Sequence, residues 1–114
     1  MDDLAGLYTS TLRVLGDTLV TMTSPEWDAT MQEATATQRT NAARLMLRVQ
    51  EARLTLANKA LGDILDELAA NEDGLQKGIK QLQDALDVFD KVERVLNRIS
   101  SILSIVARIV PLVA

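Results

Sequence analysis

The chain contains no cysteine and no histidine. Together those absences remove disulfides, Cys/His zinc sites, histidine-ligated haem, Cys–His and Ser–His catalysis, and histidine-based pH sensing. Aromatic residues make up only 3% of the sequence: Tyr8, Trp27 and Phe89. Single-stranded nucleic acids are held on several exposed rings, so stacking recognition is not expected. There are two prolines, Pro25 and Pro111, and no alternating apolar-polar segment of strand type. There is no glycine-rich phosphate loop, no Gly-x-Ser-x-Gly and no metal triad. The carboxylates of the Asn71-Glu72-Asp73-Gly74 stretch lack the spacing of a calcium loop. The expectation is a protein that is not an enzyme and uses no cofactor and no metal.

What is present is an ordinary globular mixture. The 114 residues are 47% hydrophobic and 25% charged, with a net charge of −4. That length is one domain, 1–114, and that charge argues against a broad phosphate-binding surface. Nucleic acid is therefore not an expected partner. The opening Met1-Asp2-Asp3-Leu4 has no positive n-region, so no secretory signal is read. The most apolar stretch, Val95 to Ala114, carries Arg98, Arg108 and Asn97. Each arginine at the centre of a span is opposed by roughly 2.5–3.5 kcal/mol, so the stretch is an amphipathic helix and not a span. The expected location is cytoplasmic, with peripheral membrane association under the lipid reading below.

The fold class expected is all-α. Leu4, Tyr8, Leu12, Leu15, Leu19 and Met22 recur every three or four residues and predict a helix over about 2–22. Ser24 is placed to cap a second helix, with Pro25 at its first position and Glu26 and Asp28 in its first turn. Leu45, Val49, Ala52, Leu56, Ala60, Ile64 and Leu68 form one stripe, which predicts that this helix runs unbroken from 25 to 70. Such a rod is about 69 Å long. The polar Ala70–Gly74 stretch ends it. A third helix over about 75–110 has heptad-like apolar spacing, as in coiled coils. Short breaks make neighbours antiparallel. The expected architecture is a long antiparallel helical hairpin, with the N-terminal helix forming a three-helix bundle at its open end.

Three features carry candidate functions. The first is the apolar arc at the chain's end. Between Val95 and Ala114 stand eleven Val, Leu and Ile residues. Those from Val95 to Val110 cover about 180° of the helix, where resting on a single neighbour needs about 100°. A thin hairpin has little depth in which to hide them, which predicts self-association through Val95, Ile99, Ile102, Ile105, Val106, Ile109 and Val113. The expected function is a non-catalytic protein–protein interaction or assembly module, whose partner is a second copy or another helical protein. The rival is a membrane-active protein of effector or pore-forming type, in which the C-terminal helix is released to bind lipid.

The second feature is basic. Arg39, Arg44, Arg48, Arg53 and Lys59 are interrupted by one acid, Glu51. With Arg94 and Arg98 at a similar height in the hairpin, Arg44, Arg48 and Arg53 form a candidate anion-binding belt. The third feature is the set of ten threonines, all within the first 55 residues. Threonine is a weak helix former, so the first helix depends on packing, and it either detaches to uncover the apolar arc or uses small residues for close approach.

Overall fold

Ser24 does cap a helix: its Oγ accepts a hydrogen bond from the Trp27 backbone N–H at 3.1 Å. That helix, however, is short. In the computed structural model, which describes residues 4–88 and 91–110, six helices follow one another and no strand occurs among the described residues. They are α1 (Leu4–Met22), α2 (Pro25–Gln32), α3 (Ala36–Ala57), α4 (Leu61–Ala70), α5 (Glu72–Asp87) and α6 (Val92–Ile109). The all-α class holds.

The continuous helix expected over 25–70 does not form. The first break is made by Thr35, whose Oγ1 accepts from the Gln38 N–H at 3.1 Å while Gln38 Oε1 accepts from the Thr35 N–H at 3.0 Å. This reciprocal pair satisfies two donors that a helix start otherwise leaves without partners. The second break spans residues 58–60. The Tyr8 hydroxyl sits there, 3.0 Å from the Leu56 carbonyl and 3.2 Å from that of Lys59, and donates to this pair. The Leu56 carbonyl lies in the last turn of α3 and also accepts from the Lys59 backbone N–H at 3.1 Å, while the Lys59 carbonyl lies just past the helix end. The expected stripe is real on each piece: Leu45, Val49, Ala52 and Leu56 are buried on α3, and Ile64 and Leu68 on α4, but Ala60 at the bend is exposed. The expected third helix is also divided. Its first part, α5, begins at Glu72, directly after Asn71, and a break follows Asp87 before α6 begins at Val92. Phe89 and Pro111 lie outside the described residues.

The breaks change the architecture. The long hairpin needs a rod of about 69 Å, whereas the longest extent of the molecule is 43 Å. Four helices of similar length stand side by side instead. α1 packs on α3 and α5, and α6 packs on α3 and α5, so α1 and α6 occupy opposite corners. α4 touches both α1 and α6 at one end, and α2 touches α1. Tyr8 near the start of α1 meets the end of α3, so these two run antiparallel. Gln38 of α3 donates to Glu93 of α6 at 3.3 Å, so those two run parallel. Arg98 of α6 reaches Gln81 of α5 at 3.3 Å, which completes an antiparallel α5–α6 pair.

Small residues stand at two of the buried contacts. Gly78 is buried on α5, and a methyl group placed there would lie 3.5 Å from Ile105 Cδ1 and 3.9 Å from Ile102 Cγ1 of α6. The buried Thr11 and Thr18 of α1 donate to the Leu7 and Val14 carbonyls at 2.8 and 2.7 Å, so their hydroxyls are satisfied within their own helix. Trp27 is buried, and a shallow cavity beside it is lined by Met22, Met31 and Met46, which places α2 over the joint between α1 and α3.

Gly62 has no positive φ and an added Cβ would meet nothing within 4 Å. Gly62→Ala is therefore expected to stabilise the protein by about 0.4–1 kcal/mol, through lower entropy of the unfolded chain. Thermal unfolding checks this, and a lowered midpoint would contradict it.

Candidate functional site

The apolar arc of α6 is the first surface to place. Val95, Ile99, Ile102 and Val106 are 0% exposed and Ile109 is 5% exposed, all within a single chain. Ile105 is partly buried against the same core, and Val113 lies outside the described residues. The face expected to self-associate is thus internal. The reason is the number of walls. α5, α3 and α4 all pack on α6, whereas the hairpin reading counted one partner helix and part of another. Burying a side chain of this kind is worth roughly 1.5–3 kcal/mol, and the chain already realises that gain by itself.

The arginines are brought together differently from the expected belt. Arg44 and Arg48 stand one turn apart on α3 and line a cavity of about 250 Å³ with Ser100 and Ser104 of α6. Arg98 turns the other way, to Gln81 on α5. Arg53 points towards α1: its Nε lies 3.5 Å from where a Cβ on Gly16 would stand. Arg94 is exposed in the first turn of α6. Of the five, only Arg44 and Arg48 share a groove. The excess of arginine noted over 39–59 extends to α6. α3 carries Arg39, Arg44, Arg48 and Arg53 against Glu51, and α6 carries Arg94, Arg98 and Arg108 against Glu93. Neither helix has a lysine. Arginine presents a planar fork of donors that matches a carboxylate or phosphate, which lysine does not.

Between the arginines of α3 runs an apolar ridge that sequence reasoning missed. Leu47 is 64% exposed and Leu54 is 61% exposed. They are seven residues apart, hence on one face and about 10 Å apart along the axis. Ala43, also exposed, continues the same face. Arg44 and Arg48 flank the ridge on the α6 side. Arg53, beside Gly16 of α1, flanks it on the other. The signal was available: with Leu45, Val49, Ala52 and Leu56 facing inwards, a rotation of about 100° per residue puts 47 and 54 opposite them.

A second surface lies between α1 and α5. Two open cavities run along this groove, one of about 610 Å³ and one of about 250 Å³, and Gln83 lines both. Asp17, Asp84 and Asp87 stand on the lining, with Lys80 as its cation. Val20 on the groove is 70% exposed and Val88 just beyond it is 62% exposed. The grooves are shallow and open, without the convergent polar groups of a small-molecule site. Among the described residues no group of three or more carboxylates is placed to hold a metal ion, and no helix is long and apolar enough to cross a membrane. Compared with protein-family models, curated proteins and solved structures, the chain matches none.

Two leucines of α3 separated by one residue should behave oppositely. Leu56→Ala removes a fully buried side chain and is expected to cost about 2–5 kcal/mol. Leu54→Ala, on the exposed ridge, is expected to stay within about 0.5 kcal/mol of the parent. Urea unfolding of dilute protein measures both, and equal losses would show that the ridge is part of the core.

Proposed function

We propose that this protein is a non-catalytic helical interaction module that self-associates through the outward face of α3. The observation that carries the reading is the exposed Leu47–Leu54 pair between flanking arginines. Exposed apolar side chains scattered singly are normal on any surface. A pair on one helix face, with charge on both flanks, has the pattern of an interface with an apolar centre and a polar rim. The apolar arc of α6 no longer supports assembly, because α3, α4 and α5 cover it. The same coverage weighs against the lipid reading. Releasing α6 would expose at least the five side chains named above as internal, each worth roughly 1.5–3 kcal/mol.

The test is mass by light scattering across concentration, for the parent chain and for Leu47→Ser/Leu54→Ser. The parent is expected to gain mass with concentration, and the double variant to remain a monomer with an unchanged unfolding midpoint. A parent that stays monomeric throughout, or a variant that associates as the parent does, would overturn the reading.

A further inference from the structure

We infer that the surface receiving the α3 ridge is the α1–α5 groove of a second copy, so that the chains join head to tail. This inference rests on the docking role proposed for α3 and names its partner surface. Three observations point to it. The first is charge. A ridge flanked by Arg44, Arg48 and Arg53 would face another such ridge with like charge in a symmetric contact, whereas the α1–α5 groove offers Asp17, Asp84 and Asp87. Arginine and carboxylate pair through two parallel hydrogen bonds, which fixes orientation as well as sign.

The second observation is shape. α3 presents a convex row of leucines, and the two cavities between α1 and α5 form a concave track. The third is that exposed apolar side chains stand on the track and at its end, Val20 and Val88, as counterparts for Leu47 and Leu54. The ridge and the groove lie on different sides of the bundle, since α3 and α5 occupy opposite corners. A contact between unlike surfaces leaves a free ridge on one chain and a free groove on the other, so it propagates into a ring or an open filament.

Charge reversal tests this directly, because all the residues changed are exposed. One variant carries Arg44→Glu and Arg48→Glu on the ridge. A second carries Asp17→Lys and Asp87→Lys in the groove. Each alone is expected to be a monomer by light scattering, with the circular dichroism and unfolding midpoint of the parent. Mixed in equal amounts, they are expected to assemble again, because each native ridge meets a native groove and each reversed ridge meets a reversed groove. A chain bearing all four substitutions is expected to regain assembly with the charges exchanged. If the groove variant assembles like the parent while the ridge variant does not, the head-to-tail partner is wrong and the α3 reading stands. If the ridge variant also assembles, both fall. A mixture that remains monomeric overturns the head-to-tail contact.

Discussion

The structure depends on enclosing one helix on more than one side. α6 is apolar over about half of its circumference, and a helix of that kind cannot be satisfied by a single neighbour. α5 and α3 flank it, and α4 closes over one end. α5 and α6 meet at Gly78, where a Cβ would stand in ordinary van der Waals contact with Ile102 and Ile105. Everything else in the fold serves this enclosure. α1 sits at the opposite corner and bridges α3 to α5, with α2 and Trp27 over its joint with α3. The breaks at Thr35 and at residues 58–60 matter because they cut one long rod into a wall of the right length.

Once α6 is enclosed, function is displaced to the outside of its neighbours. α3 has a double character, with one leucine-bearing side in the core and another in solvent. Arg44 and Arg48 share a groove between α3 and α6, while the carboxylates of the α1–α5 groove stand on another side of the molecule. A small protein with a net charge of −4 is thereby polarised, with a basic ridge and an acidic groove. Long-range attraction between such faces orients an encounter even where net charges repel.

Some of this was legible in the residues. α1 follows its apolar spacing, and Ser24 with Pro25 marks the start of α2 as the capping chemistry demands. The Thr35-x-x-Gln38 cap was equally readable but was overrun by the long apolar stripe that follows it from Leu45. The bend at residues 58–60 was not readable, since Ala60 makes no side-chain cap and neither proline nor glycine stands there. It is held by Tyr8, a residue about fifty positions earlier, and local propensity has no access to a contact of that range. The interface residues assigned to α6 went wrong for the same reason: the number of walls around a helix is a tertiary property. Leu47 and Leu54 could have been found from the helical wheel, because their inward counterparts had already been identified.

The central claim is that the apolar side of α6 is covered within one chain, and amide hydrogen exchange at two protein concentrations tests it most directly. In the Leu47→Ser/Leu54→Ser chain, which is expected to remain a monomer, amides from 95 to 106 are predicted to exchange only through global unfolding, at rates that are the same in dilute and concentrated solution. Rates in that segment that fall as concentration rises would mean that another molecule supplies the cover, and the account would be wrong.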